Sequence, residues 1–440
     1  MSVVGELQNT DNVTDSIKYV ENISTNNTEI NETKYEFTRK AIENLGNRIR
    51  ITDTTPNGLE LFCYNSCGPD DSSLVRRCRG VVFNGDDIVM HAFPYTIEFS
   101  NTEKKKIEEN IQSEFKKCTF FDSHEGTLIR MFNFSGRWYT STHRKLNAFR
   151  SRWSSKESFG TSFKRALETE LENNDELRKN IPSGDEGLLE RFQSTLDPTK
   201  QYMFLVLHNE ENRIVCDSPY KPTVYHVGTF VNGDLVMNEN IHIPYPKRHN
   251  FLNIDELTEY VNNININKIQ GVIIFTPGNK QYKILNEEYL KFFRARGNEP
   301  SIKFRYLQVR MNKNMVDRLY SLYPDMIETF EKYENNLYSI AKNIYRSYVQ
   351  RHIKGKWSTL PNQEYQVDKA CHFWHEENRK SNIVSLEKVI EVLNRQHPSN
   401  LNAMIRRFNN ENKIRLETMK SGSNQFAYPA RLSINKNESS

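Results

Sequence analysis

The sequence predicts an α+β protein: an antiparallel-sheet domain followed by an all-helical C-terminal domain. Three observations carry this. Short apolar alternating runs fill residues 55–100, a charged and periodic stretch follows, and strand-like runs return between 200 and 285. Strands grouped around helices, rather than alternating with them, indicate antiparallel sheets and not a doubly wound parallel sheet. Beyond about residue 310 the runs lengthen and take the helical period.

The elements follow in order. Residues 1–33 are Asn- and Thr-rich, with six acids and one base, about −5, and are expected to be disordered. The whole chain is +4, so the remainder is about +9, a balance compatible with a nucleic-acid partner. A helix is expected over 35–45. Strands are expected at 59–64, 79–83 and 88–93, the last ending at Pro94, with Asn84-Gly85 as a hairpin turn. Residues 102–117 read as helix. A second hairpin joins 128–132 to 138–142 through a turn containing Gly136. Residues 144–195 read as helix, broken near 154–162 and at Pro182-Ser-Gly. Strands then fall at 202–207, 213–216, 224–230, 271–275 and 281–284. Helices are expected at 315–323, 326–351, 365–378, 386–394 and 399–409, with Ser399 placed to cap the last. The domain boundaries are therefore a tail over 1–33, a sheet domain over 34–305, a helical domain over 310–420 and a loose tail over 421–440.

No run of eighteen apolar residues is present, so no transmembrane helix is expected. The opening MSVVGELQNTDN lacks a basic segment followed by an apolar one, so no secretory signal is expected, and the Asn-x-Ser/Thr triplets at Asn12, Asn22, Asn26 and Asn31 read as composition. The six cysteines are scattered, which fits a reducing compartment and a cytoplasmic protein. Cys63-x3-Cys67 has no second pair. Cys371-His372-Phe-Trp-His375 offers two histidines on one helical face but no fourth ligand for zinc, so no metal site is assigned.

The stretch FFDSHEGTLIRMF, residues 120–132, places Glu125-Gly126 between two apolar runs. Around it, in order, stand Arg77-Cys-Arg79-Gly-Val-Val-Phe83, His91-Ala-Phe-Pro94 to Asn101, Asn212-Arg213-Ile-Val215, Gln270-Gly271-Val-Ile-Ile-Phe275 and Tyr282-Lys283-Ile284. This series resembles the nucleotidyltransferase domain of the bacteriophage tRNA-repair RNA ligases, the RNA ligase 1 group, over about residues 55–290. It is also similar to RNA-ligase-like proteins of large cytoplasmic DNA viruses. The resemblance implies a ligase-type, ATP-grasp-like nucleotidyltransferase domain, with ATP and Mg2+ as cofactors if active. It also implies RNA as partner, in the form of single-stranded ends or tRNA-like molecules, in the host cytoplasm or a virion.

Four positions depart from the family's pattern. Its nucleophilic lysine, in Lys-x-Asp-Gly, falls on Ser123; its glutamate ahead of Asn-Arg-Ile-Val falls on Val206; its Glu-Gly becomes Gln270-Gly271; and its Lys-x-Lys becomes Lys283 and Leu285. A serine hydroxyl does not form the phosphoramidate that an amine of depressed pKa forms. Arg79, Glu125, Gly126, Arg213 and Lys283 match positions that line the family's nucleotide pocket, and their types suit phosphate and ribose. Each also has a plainer reading: a turn, a surface ion pair or a strand edge. Lys145, two residues beyond His143, is the candidate substitute nucleophile.

Residues 143–165 interleave bases with aromatics, and Arg144, Lys145, Arg150, Arg152, Trp153 and Lys156 are the candidate nucleic-acid contacts. Their alternative is a solvated helix face with Leu146, Phe149 and Trp153 packed inward. Three functions remain open at this point: a nucleotide- or RNA-binding protein without the lysyl–AMP step, an active ATP-dependent RNA ligase with an unusual nucleophile, and a structural viral protein that keeps the fold for assembly contacts.

Overall fold

The computed structural model describes residues 37–423, with side chains through 418, so the predicted tail over 1–33 and most of the final one lie outside the described residues. The described residues open with a short helix, Arg39–Glu43, inside the expected 35–45, followed by an antiparallel meander of β1 (Ile49–Thr54), β2 (Leu59–Tyr64), β3 (Arg79–Asn84) and β4 (Asp87–Met90) in that spatial order. Its last turn is the expected Asn84-Gly85, with Gly85 at φ +58°. Such turns need positive φ, which glycine adopts without a Cβ penalty.

Two five-stranded sheets follow. One comprises β7 (Gly126–Phe134), β8 (Arg137–Ser141), β9 (Gln201–Leu207), β10 (Val224–Val231) and β11 (Asp234–Val236), in the order β11-β10-β9-β7-β8. The other comprises β5 (Ile97–Ser100), β6 (Thr119–Ser123), β12 (Arg248–His249), β13 (Gly271–Phe275) and β14 (Gln281–Leu285), in the order β12-β6-β13-β14-β5. All neighbours are antiparallel except β14 and β5, which are parallel.

Strand alternation assigns the faces. Phe120, Val272, Ile274, Tyr282 and Ile284 pack against the helices Lys104–Ile111 and Ile254–Asn262. The latter helix starts at Asn253, whose side chain accepts from the Glu256 N–H, and buries Ile254, Leu257 and Val261. Each of these contributes about 1.5–3 kcal/mol relative to exposure. Asp122 ties this layer together by accepting from Tyr260 Oη at 2.9 Å and pairing with His249 Nε2 at 2.8 Å. In the other sheet, Ile129, Met131, Tyr202 and Phe204 pack on the helices Phe159–Asn173 and Leu188–Ser194. The opposite faces meet each other through Phe121, Ile273 and Phe275 on one side and Leu128, Phe132, Met203 and Phe230 on the other.

The helical region contains Lys313–Leu322, Ile327–Tyr348, Asn362–Glu377 and Leu386–Asn394, close to the expected spans, and Pro398–Ser423, which runs well past the expected 399–409. Two helices that were not read from the sequence precede it, Glu287–Arg296 and Ile302–Val309. Tyr306 and Leu307 of the second join its core with Phe330, Leu337 and Ile344. Ser399 is not the cap of the last helix. Pro398 takes the first turn, where its fixed φ and missing N–H are tolerated, and the Ser399 N–H donates to His397 Nδ1 at 3.3 Å. Among the described residues, no helix is long and apolar enough to cross a membrane and no three His, Cys, Asp or Glu side chains are grouped to hold a metal ion.

Candidate functional site

The two sheets are joined at the hinge between β6 and β7, where FFDSHEG lies. Ser123 ends β6 opposite Gly271 and is 3% exposed. Its carbonyl accepts from the Gln270 N–H at 2.9 Å, and Gln270 Nε2 donates to the His124 carbonyl at 2.7 Å. The side chain at the family's carboxylate position therefore clamps the hinge as a neutral amide. Val206 and Leu285 are buried in apolar clusters or strand pairs.

Glu125 is also buried. Its carboxylate accepts from the Val215 N–H at 3.0 Å, the Cys216 N–H at 3.1 Å and Tyr289 Oη at 2.8 Å. Burial raises its pKa, and these donors pull in the opposite direction without cancelling it. The engagement explains a difference from the sequence reading: residues 213–216 form no strand, with bends at 214–216, because two of their amides are spent on Glu125. Gly126 sits at the head of a strand rather than in a turn. A Cβ there would stand 2.5 Å from the Val206 carbonyl oxygen, so glycine is required by the close crossing of β7 and β9.

Cations converge near the head of β3. Arg79 is half-buried, with Nη1 3.4 Å from Thr96 Oγ1. Gly80, at φ +92°, brings the chain so close to His143 that a Cβ would stand 2.7 Å from the His143 backbone. Arg130, 0% exposed on β7, donates to the carbonyls of Gly80 and, at 2.6 Å, Thr142. Burial lowers its pKa to about 10. His143 is driven to about 3, first by burial and then by Arg79, Arg130 and Arg144, so it is neutral at ordinary pH. Among the described residues, no carboxylate pairs with Arg79, Arg130 or Arg144. Arg130 escaped the sequence reading. Its signal was a charged residue at an inward position of β7, between Leu128 and Phe132.

Lys283 lies on the same sheet face as Ser123, since Lys283, Ile273 and Phe121 are register partners and Phe121 and Ser123 are two apart. It is 3.5 Å from Glu98 Oε1. Arg213 is engaged locally, with Asp217 at 2.7 Å and Glu210 at 3.6 Å, and its carbonyl accepts from Tyr323 Oη at 2.8 Å. The inter-sheet face thus gathers Ser123 and Lys283, with Arg79, Arg130 and His143 at the β3–β7–β8 side, while Arg213 stays in its own loop.

The segment over 143–158 is not helical apart from the 3-10 turn Ala148–Arg150. Side chains compete successfully for its amides: Asn147 Oδ1 accepts from the Phe149 N–H, and buried Asn212 Oδ1 accepts from the N–H groups of Ser154 and Ser155 at 3.1 Å. The Trp153 indole lies 5.2 Å from the Arg296 guanidinium and stacks on His208 at 6.4 Å, so its faces meet protein groups. Arg144, Arg150, Arg152 and Lys156 are exposed and make no ion pair among the described residues. Lys145 turns its amine towards Asp53 of β1, at 3.9 Å.

This arrangement can hold an anion. It offers guanidinium and ammonium groups, which match phosphate oxygens, and a neutral imidazole. For magnesium the donor set is poorer: Glu125 is spent on three donors and Glu98 faces Lys283.

No family model matches the chain. It is 31% identical over 329 residues to the immediate-early protein ICP-46 homologue of Invertebrate iridescent virus 6, covering 71% of this chain and 69% of that protein. A putative bifunctional polynucleotide kinase/RNA ligase of Autographa californica nuclear polyhedrosis virus is 23% identical over 331 residues, or 72% of this chain and 44% of that protein. Among solved structures, a putative ATP-dependent DNA ligase from Aquifex aeolicus overlays with a TM-score of 0.36 at 14% identity, covering 66% of this chain and 71% of that one.

Proposed function

The chain belongs to the immediate-early protein ICP-46 family, and from that premise we propose that it is an RNA-ligase-like protein that binds a nucleotide or an RNA end between its two five-stranded sheets without forming a lysyl–AMP. The observation that carries this is the hinge: Ser123 stands where the resemblance expects the nucleophilic amine, and Glu125 beside it is consumed by Val215, Cys216 and Tyr289. Support for the RNA-ligase part comes from the motif order and from the distant baculovirus relative named as a polynucleotide kinase/RNA ligase.

In this reading Arg79 and Lys283 take the phosphates, with Arg130 and Gly80 holding the β3 head in place. ATP fits this set through its phosphates. Magnesium finds no free carboxylate beside Ser123, and no step is routed through it. The exposed bases Arg144, Arg150, Arg152 and Lys156 carry the strand's backbone by charge. Lys145, on the same surface, contributes a phosphate contact.

Incubation with ATP labelled on its α-phosphate, with Mg2+, is expected to leave no label on denatured protein, while non-covalent binding weakens at least tenfold in Lys283→Ala. An acid-labile AMP adduct would overturn the reading, and its loss in Lys145→Ala would name the nucleophile and restore an active ligase. Replacing Arg144, Arg150, Arg152 and Lys156 together by alanine is expected to flatten the salt dependence of single-stranded RNA binding, by about 0.7 in log–log slope for each phosphate no longer neutralised. An unchanged slope would assign those bases to solvent, and absence of RNA binding at low salt would favour a structural role.

A further inference from the structure

A cavity of about 230 Å3 opens where the short helix Ser73–Arg77 and the segment after β4 face the β13–β14 turn. It is at the far end of β14 from the hinge. Gln281 pairs with Phe275, itself opposite Thr119, whereas Leu285 pairs with Gly271, itself opposite Ser123. Four residues of strand separate the two ends, about 13 Å. The wall wraps the edge strand β5 through Tyr95 and Ile97.

Three properties of this wall go together. Its charges are all positive: Arg76, Arg77 and Lys280 line it, and no Asp or Glu does among the described residues. The Arg77 guanidinium sits 4.1 Å from the centre of the Phe37 ring and makes no ion pair among the described residues. Rings also line it, including Phe37, Tyr95 and Tyr282. Finally, it contains an unspent donor. Gln281 is 3% exposed, its Oε1 accepts from Thr96 Oγ1 at 3.2 Å, and its Nε2 has no hydrogen-bond partner. Buried amide hydrogens without acceptors are rare because such a donor gives up its water without a replacement. Guanidinium groups with an amide donor suit phosphate oxygens, and ring faces suit a base or sugar. The small volume excludes several nucleotides at once, so a single nucleotide would sit partly at its mouth.

We propose that this cleft binds a nucleoside monophosphate, free or as the terminal nucleotide of a strand, with Arg76, Arg77 and Lys280 on the phosphate and Gln281 Nε2 donating to the ligand. The lining includes neither Arg79 nor Lys283, but Arg79 Nη1 reaches Thr96 Oγ1, the donor to Gln281 Oε1, so Lys283 is the residue that separates the two sites.

The test uses the full chain carrying Lys283→Ala, which weakens the inter-sheet cleft and leaves Arg79 in place on Thr96, and titrates it with AMP, with adenosine, and with a short RNA bearing a 5′-phosphate or a 5′-hydroxyl. AMP is expected to bind at least tenfold more tightly than adenosine, and adding Arg77→Gln and Lys280→Gln, both exposed positions, is expected to erase that difference. The same Arg77→Gln/Lys280→Gln pair in the otherwise unaltered chain is expected to remove one AMP equivalent from the binding stoichiometry. A preference for the 5′-phosphorylated RNA over its hydroxyl counterpart identifies the strand end as the ligand. AMP binding without that preference identifies the free nucleotide. Equal binding of AMP and adenosine, no binding of any probe, or indifference to Arg77→Gln/Lys280→Gln overturns the proposal.

Discussion

Gly271→Ala is expected to destabilise the protein by about 3 kcal/mol, one of the largest effects of any single methyl group in this chain. A Cβ at that position would stand 2.0 Å from the Ile284 carbonyl oxygen, 2.9 Å from the Ile284 carbonyl carbon and 3.0 Å from the Leu285 Cα. All three are backbone atoms in the paired strand β14, so no side-chain rotation relieves the clash. β13 and β14 must separate at the end that faces Ser123, and Gln270, which clamps the hinge from the preceding position, moves with them. Urea unfolding measures the loss. Gly278→Ala is the control, because a Cβ there has nothing within 4 Å, and it is expected to shift stability by less than about 0.5 kcal/mol. Equal effects of the two substitutions would refute the close-approach argument.

Glu125→Ala is expected to cost about 3 kcal/mol at neutral pH. It strands three buried donors, the N–H groups of Val215 and Cys216 and the Tyr289 hydroxyl, at about 1–3 kcal/mol each, and removal of a buried carboxylate offsets part of that. The loop that carries Arg213 and receives Tyr323 loses its anchor, so increased amide exchange over 213–216 is expected as well. Glu125→Gln keeps one acceptor oxygen and is expected to cost about half as much. The pH dependence has a definite sign. Burial raises the folded-state pKa of Glu125, so its contribution is full below the unfolded value near 4.5 and declines as pH rises through the folded value. The stability advantage of the wild type over Glu125→Gln is therefore expected to widen as pH is lowered from 7 towards 4.5. A gap that narrows would place the carboxylate in a charge-stabilising environment instead.

Much of the architecture was legible in the sequence because it depends on local signals. Period-2 runs bounded by Asn-Gly and Ser-Gly turns marked the hairpins, and 3.6-residue periodicity marked the helices beyond 310. The segment over 143–158 misled, because its helical spacing was real but Asn212, fifty-odd residues away, takes the amides of Ser154 and Ser155. The strand expected at 213–216 failed for the same kind of reason: Glu125 supplies a closer acceptor than any strand.

The same division applies to the site. The sequence by itself determined that the nucleophilic lysine of the resembled ligases is replaced by Ser123, and that Val206, Gln270 and Leu285 break the remaining pattern, since these are matters of residue identity. It singled out Gly126, as a pocket or turn residue, but not for the close approach of β9 that requires glycine there. Only the tertiary structure decided what the surviving polar residues do. Glu125 faces backbone amides and not a cleft, Arg213 is bound to its own loop, and Lys145 turns to Asp53, whereas Arg79 joins Arg130 and His143 from β7 and beyond β8. The physical reason is that a charged side chain is defined by its nearest partners, and those partners come from strands and loops far away in the chain, 164 residues for Glu125 and Tyr289 and 185 for Lys283 and Glu98.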